Sequence, residues 1–298
     1  LVIGGGYIGM ELGTVYAGLG SQVTVIEALE GILLGADPDL VRPVAAYAKK
    51  AFKEVRLKSK VVKMASAGKQ IKVVSEYNGK TLEETYDRVL VSVGRTPNGR
   101  DLGLENTKVQ LDDRGYVKVN EQLLTDDPNI YAVGDIAGGI LLAHKAGKEA
   151  HIAVDNIAGE GKALNRGYAI PAVVFTDPEI AWVGLTETEA KQKGVAYQVA
   201  KFPWAASGRA LTYDRTDGLT KIIFDPETER ILGVGIVGHG AGELIGEGAV
   251  LVEMGATARD LEAIVHPHPT LSETLMESAE AFFGHATHTF SRKKEPQH

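Results

Sequence analysis

With 298 residues, 44% of them hydrophobic and 24% charged, the chain is long enough for two domains with sizeable cores and has the balance of an ordinary soluble globular protein. A net charge of −7 argues against nucleic acid or an anionic membrane as a main partner, and no apolar run reaches the roughly eighteen residues that a membrane span needs. The lack of cysteine excludes a disulfide scaffold and a thiolate metal site, no metal is expected, and with no signal-peptide pattern the expected compartment is the cytoplasm.

The chain opens on Leu1-Val2-Ile3, already inside what reads as a strand, with no methionine and no lead-in, so a preceding segment is expected. The strand runs into Gly4-Gly5-Gly6-Tyr7-Ile8-Gly9, after which Ile8, Leu12, Val15 and Leu19 recur at helical spacing. Ser21 to Glu27 predicts a second, β-branched strand whose last residue is an acid eighteen positions past Gly9. Taken alone, the glycines also fit a merely tight strand-helix turn. Strand, turn, helix and acid together complete the G-x-G-x-x-G fingerprint of dinucleotide binding. Its glycines let the backbone approach a pyrophosphate at a helix N-terminus, and Glu27 is spaced to bond the ribose hydroxyls of the adenosine half. A carboxylate there repels a 2′-phosphate, and no arginine follows closely, which favours NAD over NADP.

Asp37 to Val55 then predicts a helix, and Arg56 to Met64, Gln70 to Tyr77 and Thr81 to Tyr86 predict strands of a small crossover sheet with a hairpin turn at Asn78-Gly79. The nearly continuous apolar run Asp87 to Val93 predicts a parallel strand buried on both faces, closing the dinucleotide unit at Gly94-Arg95-Thr96-Pro97-Asn98. Tyr116 to Val119 reads as a short strand, and a second one ends in Gly134-Asp135. That ending sets a carboxylate at the carboxyl edge of a sheet, where α/β folds bind ligands, although Asp135 equally suits a turn cap. Leu141 to Lys145 opens a helix running to about Ala158, with Ala143, Gly147, Ala150 and Ala153 as a small, close-packing face.

From about Arg166 the pattern changes to strands at Ala169 to Phe175, Ile180 to Val183, Leu219 to Phe224 and Ile231 to Val237, then helices at Ala241 to Met254, Arg259 to Ile264 and Thr270 to Phe283. Strands first and helices after predict an α+β domain with an antiparallel sheet. The helix Ala241 to Met254 is apolar over much of its surface, as expected for burial against a partner subunit. The polar tail Phe290 to His298 is expected to fray.

Within this last part, His266-Pro267-His268-Pro269-Thr270-Leu271-Ser272-Glu273 carries the densest potential chemistry. Each proline pushes the residue before it out of the α region, so both histidines sit on stiff, extended backbone. Pro269 and Thr270 suit the first turn of a helix, which brings Glu273 within reach of His268. A carboxylate bonded to one ring nitrogen fixes the tautomer and raises the basicity of the other. By itself the stretch also reads as a helix start with two surface histidines.

Read together, GGGYIGMELG with Glu27, VGRTPN, TDDPNIYAVGD, LLAHKA, FPWAASGRAL and HPHPTLSE resemble the flavoprotein pyridine nucleotide-disulfide reductase family over essentially the whole chain. LAHKA, the NAD-type Glu27 and HPHPTLSE together resemble its dihydrolipoyl dehydrogenase branch. The resemblance implies an α/β fold with a Rossmann-type NAD-binding domain (1–94), the C-terminal part of an FAD-binding domain (95–165) and an α+β dimerisation domain (166–298). It implies that Gly4, Gly5, Gly6, Tyr7, Ile8, Gly9, Met10, Glu11 and Glu27 bind NAD, with Val61 near the adenine and Gly94 near the other end. Asp135 would bond the ribityl chain of FAD, and Leu141, Leu142, Ala143 and His144 would pack along the isoalloxazine. His268 would be the acid-base residue and Glu273 its orienting partner, reaching into the active site of the other subunit of a homodimer, while His266 would be supporting structure. Lipoyl domains of 2-oxo acid dehydrogenase complexes would be the partners.

The family also carries a first flavin fingerprint and a C-x4-C redox pair, neither of which is in this sequence. The chain therefore resembles the C-terminal two-thirds of such an enzyme, and alone it is expected neither to turn over lipoamide nor to hold FAD well. A non-catalytic NAD-binding or dimerisation module, and a sibling flavoprotein such as a pyridine nucleotide transhydrogenase, are the alternative readings.

Overall fold

Short β-branched runs alternating with helical repeats set the first half of the molecule. In the computed structural model, which describes residues 1–159 and 164–289, β1 (Val2–Ile3) turns through the glycines into α1 (Tyr7–Gly18), followed by β2 (Thr24–Ile26), α2 (Pro38–Ala51) and β3 (Glu54–Arg56). An antiparallel sheet of β4 (Lys60–Ala67), β5 (Gln70–Tyr77) and β6 (Lys80–Tyr86) comes next, and β7 (Leu90–Val91) returns to the first sheet. That sheet is parallel throughout, in the order β3-β2-β1-β7, with Val2 opposite both Val25 and Leu90. Asn78 and Gly79 both take positive φ, 50° and 72°, as a two-residue hairpin of the I′ kind requires.

Three expectations fail in this half. The single strand predicted from Arg56 to Met64 is divided, with Arg56 ending β3 and β4 starting at Lys60. The helix predicted to Val55 ends at Ala51, because Glu54 to Arg56 pair with β2 as a further strand. The run Asp87 to Val93 is not a strand buried on both faces. Only Leu90 and Val91 pair, at the sheet edge, and Val91 and Val93 are exposed, so the apolar pattern read as two-sided burial marks an edge instead.

After residue 170 the chain forms β8 (Ala172–Val174), β9 (Glu179–Gly184), α4 (Glu187–Lys193), β10 (Gln198–Pro203), α5 (Gly208–Thr212), β11 (Leu219–Phe224), β12 (Ile231–Gly238), α6 (Ala241–Met254), α7 (Ala258–Ala263) and α8 (Glu273–Phe283), with α3 (Ala143–Ile157) lying earlier in the sequence. The five strands pair antiparallel in the order β10-β11-β12-β9-β8. The alternation of buried Ala200 and Phe202 with exposed Lys201 and Pro203 in β10 is a strand signal missed in the sequence. α8 begins at Glu273 rather than Thr270, leaving Pro269, after a cis peptide bond, and Thr270 outside the helix. The tail Phe290 to His298 lies outside the described residues.

Leu1–Val93 and the chain from Pro171 onward cluster as one compact unit, and Gly94–Ile170 forms another. The first unit has a core to which both sequence segments contribute: Val2, Met10, Val25, Leu40 and Val44 from one, Val174, Ile180 and Val237 from the other. The burial of such aliphatic side chains is worth about 1.5 to 3 kcal/mol each. In the second unit, Leu123, Ile152 and Ala153 form a smaller core with Val119, Tyr131, Val133 and Tyr168 around it. The strands predicted there reduce to isolated bridges, Leu111 with Val117 and Leu124 with Tyr131. The buried face of α3 is Lys145, Glu149, Ile152 and Ala153, whereas Ala143 and Gly147 of the predicted small face are exposed.

Candidate functional site

At the turn between β1 and α1, close packing dictates glycine. A Cβ on Gly9 would fall 2.0 Å from the Gly4 carbonyl oxygen, and one on Gly4, whose φ is +107°, would fall 2.4 Å from that of Ser92. Gly6, by contrast, opens onto free space and caps α1, a twelve-residue helix with no acid in its first turn. Such a helix N-terminus suits an anion. Glu27 stands at the end of β2, where its backbone N–H donates to the Arg56 carbonyl and its carbonyl accepts from Ser59. Its carboxylate is anchored twice, Oε2 accepting from the Gly5 N–H at 2.6 Å and Oε1 from the Leu29 N–H at 2.7 Å. An open glycine cradle, a helix N-terminus and a fixed carboxylate beside them fit the two ends of an adenosine diphosphate moiety, so these residues would hold a dinucleotide.

The other residues expected at this site divide by exposure. Tyr7 is exposed and Ile8 half-buried, but Met10 is fully buried in the core, with its N–H donated to the Gly6 carbonyl. Glu11 Oε1 accepts from the Phe175 N–H at 2.9 Å, tying α1 to the chain beside β8. Val61 is half-buried in β4 opposite Ser75, next to a bulge.

In the second unit, Gly94, at φ +133°, Arg95, Asp135 and Leu141 line a cavity of about 590 Å³. Asp135 sits in the 3-10 turn Gly134–Ala137, not at the end of a regular strand. Its side chain is half exposed and accepts from Arg95 Nη1 at 3.2 Å, while the same nitrogen lies 3.3 Å from the Leu141 carbonyl. Leu141 and Leu142 are half-buried, and Ala143 and His144 are exposed on the first turn of α3. Behind the turn is a pair of residues that the sequence reading missed. Lys145 Nζ donates to the carbonyls of Gly138 (2.6 Å) and Gly134 (3.1 Å), Glu149 Oε2 accepts from the Gly134 N–H at 2.8 Å, and Lys145 and Glu149 pair at 3.0 Å. Both are buried, so the loop bearing Asp135 is held from the helix side by a charged pair whose polar atoms are well bonded. Their i, i+4 spacing was visible in the sequence, but it is also that of any surface pair.

The stretch before α8 brings His268 and Glu273 together, with Nδ1 2.9 Å from Glu273 Oε1. The other carboxylate oxygen accepts from the Thr270 N–H at 2.7 Å, so Glu273 is fixed while the His268 ring is mostly exposed and presents Nε2 outward. A carboxylate only accepts, so Nδ1 carries the proton of this pair. His266 differs. Its side chain is buried, Nδ1 lies 3.0 Å from the Ile264 carbonyl and Nε2 2.8 Å from Glu247 Oε1 of α6, so both ring nitrogens face acceptors. Outward from α6, Val250 and Met254 are exposed, as is Val265 just before His266.

A second missed cluster joins the two sequence segments of the first unit. Asp37, just before α2, accepts from the N–H groups of Glu187 and Thr188 at 2.9 Å each and from Thr188 Oγ1 at 2.7 Å. Lys221 of β11, fully buried, lies 2.7 Å from both Asp37 and Asp39 and 3.3 Å from Glu187. Burial alone would raise the Asp37 carboxyl, but the hydrogen bonds from Lys221, Thr188 and the α4 backbone outweigh it and hold it at about 2. Among the described residues no helix is long and apolar enough to cross a membrane.

A family model described as pyridine nucleotide-disulphide oxidoreductase matches residues 1–150, and another, described as the dimerisation domain of pyridine nucleotide-disulphide oxidoreductase, matches residues 170–279. The chain is 46% identical over 289 residues to the dihydrolipoyl dehydrogenase of Haemophilus influenzae, covering 96% of this chain and 60% of that protein. It is 44% identical over 294 residues to the dihydrolipoyl dehydrogenase of Vibrio parahaemolyticus, covering 98% and 62%. Among solved structures it resembles LpdA from Mycobacterium tuberculosis, with a TM-score of 0.87 at 29% identity, covering 94% of this chain and 61% of that one. The HOCl-induced flavoprotein disulfide reductase RclA from Escherichia coli gives a TM-score of 0.85 at 30% identity, covering 94% and 63%. The chain thus spans about three-fifths of the length of the relatives it matches.

Proposed function

The chain belongs to the pyridine nucleotide-disulphide oxidoreductase family, and on that premise we propose that the protein of which these residues form part is an NAD-dependent, FAD-containing dihydrolipoyl dehydrogenase. The observation that carries this reading is the His268–Glu273 pair at 2.9 Å, with the second ring nitrogen presented to solvent. The dihydrolipoyl dehydrogenases of similar sequence support the substrate. Dihydrolipoamide must lose a proton from each thiol as it is oxidised to the cyclic disulfide, and an imidazole is the side chain suited to accept one near neutral pH. His268 Nε2 takes the proton, while Glu273 keeps Nδ1 protonated and the ring oriented. Bound FAD and NAD supply the electron acceptors for the dithiol. Glu27 and the open Gly6 cradle would hold the NAD, and Asp135, on a loop steadied by Lys145 and Glu149, would bond the ribityl chain of FAD. The exchanging enzyme sulfurs are not among these 298 residues, which hold no cysteine, and come from outside this chain. A homodimer formed through the dimerisation domain, with lipoyl domains of 2-oxo acid dehydrogenase complexes as delivering partners, completes the reading.

The test is His268→Ala in the whole protein. Flavin reduction by dihydrolipoamide is expected to slow by about a hundredfold or more, the typical worth of a positioned general base, while flavin reduction by NADH is kept. Equal loss on both sides would remove His268 from the role.

A further inference from the structure

Behind Glu273 runs a buried line of hydrogen bonds that begins at Trp204, in the short turn after the edge strand β10, and passes through β11 of the antiparallel sheet. Trp204 Nε1 lies 3.0 Å from Thr220 Oγ1, Thr220 Oγ1 lies 2.7 Å from Thr274 Oγ1, and Thr274 Oγ1 lies 2.7 Å from the Leu271 carbonyl oxygen. Trp204, Thr220 and Thr274 are all fully buried. The direction of the line follows from its ends. An indole N–H only donates and a carbonyl only accepts, so Thr220 accepts from Trp204 and donates to Thr274, which in turn donates to Leu271. Each hydroxyl thus accepts from one neighbour and donates to the next, an arrangement in which the bonds polarise and strengthen one another.

The head of the line cannot move. The Trp204 ring fills a slot made by two glycines, since a Cβ on Gly218 or Gly238 would fall 2.2 or 2.3 Å from ring atoms, and its backbone N–H donates to the Gly218 carbonyl at 3.0 Å. Thr220 is on β11, paired with Phe202 on one side and Ile236 on the other. The tail of the line ends three residues after His268 and two before Glu273. There α8 starts without a capping side chain, and Thr274 reaches the Leu271 carbonyl with both its N–H (3.1 Å) and its hydroxyl. Around that carbonyl, Thr270 donates its hydroxyl to the Pro267 carbonyl at 2.7 Å and its N–H to Glu273 Oε2.

We infer that Trp204, Thr220 and Thr274 are positioning residues: the line transmits the rigidity of the sheet to the Leu271 carbonyl and thereby fixes the Glu273 carboxylate against His268 Nδ1. The line ends within the short segment that separates the two partners in the chain. The inference rests on the reading of His268 as the base that accepts the thiol proton, and its test separates the two.

The test compares Thr274→Val, which keeps the shape and removes the hydroxyl, with Thr274→Ser, which keeps the hydroxyl, in the whole protein. Two quantities are read. One is the rate of flavin reduction by dihydrolipoamide against that by NADH, and the other is the tautomer of His268 from its ring 15N shifts. In Thr274→Val the dithiol rate is expected to fall on the order of tenfold, the rate equivalent of one buried hydrogen bond, with the NADH rate kept and the Nδ1–H tautomer no longer dominant. Thr274→Ser is expected to restore both. Wild-type dithiol rate and tautomer in Thr274→Val, or equal loss of both half-reactions, would overturn the inference. Should Thr274→Val fail to fold, Trp204→Phe carries the test with its ring still in the slot. It is expected to show the same split at about threefold, and an unchanged tautomer in it would count against the line. A wild-type protein that dihydrolipoamide does not reduce would instead refute the reading of the reaction, and the tautomer would still decide the role of the line.

Discussion

Replacing Asp37 by asparagine in the whole protein removes one charge from the buried cluster around Lys221 and changes the side-chain shape little. The folded-state carboxyl lies at about 2 against an ordinary 3.8. A separation of roughly two pH units corresponds to about 2.5 kcal/mol of stability at neutral pH, because each unit is worth about 1.4 kcal/mol. The sign is that of a carboxylate whose charged form is favoured by folding. Its contribution is complete above the unfolded value near 4 and is lost as the pH falls toward 2. Urea unfolding midpoints of wild type and Asp37→Asn are therefore expected to differ by the equivalent of about 2 to 3 kcal/mol at pH 7 and to converge by about pH 2. Lys221→Met, which leaves Asp37, Asp39 and Glu187 without their shared cation, is expected to cost more, about 3 to 5 kcal/mol. Equal midpoints for wild type and Asp37→Asn at pH 7, or a difference that persists unchanged at pH 2, would refute the assignment of that stability to the cluster.

Three further substitutions probe the glycine turn and the Asp135 loop. Gly9→Ala, whose Cβ would press on the Gly4 carbonyl from 2.0 Å, is expected to lower stability by about 1 to 3 kcal/mol or more, whereas Gly6→Ala points into open space. Gly6→Ala should keep its melting temperature and weaken NAD binding by calorimetry, and a shared loss of stability would contradict this contrast. Glu149→Gln leaves Lys145 buried without its carboxylate, so hydrogen exchange at the amides of residues 134–139 is expected to quicken and bound flavin to dissociate faster. Unchanged protection of those amides would mean that the pair does not hold the Asp135 loop.

The parts of the fold that were legible in the sequence are those that announce themselves locally. β5, β11 and α6 fall where alternation or helical spacing placed them, and the spacing of Gly9 and Glu27 reads directly as strand, turn, helix and strand. Asn78-Gly79 marks its hairpin because both positions need positive φ. What escaped depends on neighbours distant in sequence. β3 is a strand because β2 lies beside it, although Glu54 and Val55 continue a helical pattern. Asp87 to Val93 has the composition of a central strand but stands at an edge. The reach of Glu273 to His268 could be counted along five residues, whereas nothing in LTKIIF tells that Lys221 meets Asp37 across 184 positions or that Thr220 meets Thr274 across 54. Buried polar residues look like surface ones until their partners are seen.

The shared core of the first unit has a consequence for how the molecule fails. Val2, Val25 and Leu40 pack in the same cluster as Val174, Ile180 and Val237, so the segment with the glycine turn and the segment that follows Pro171 lose their interior together. The two are one melting body written in two instalments. Occupancy of the glycine cradle, which stabilises the native form by mass action, therefore protects the strands and helices of the other instalment as well. Val237 of β12 and Val2 of β1 belong to that one cluster, so loss of the β12 side chain is expected to lower the stability of both instalments.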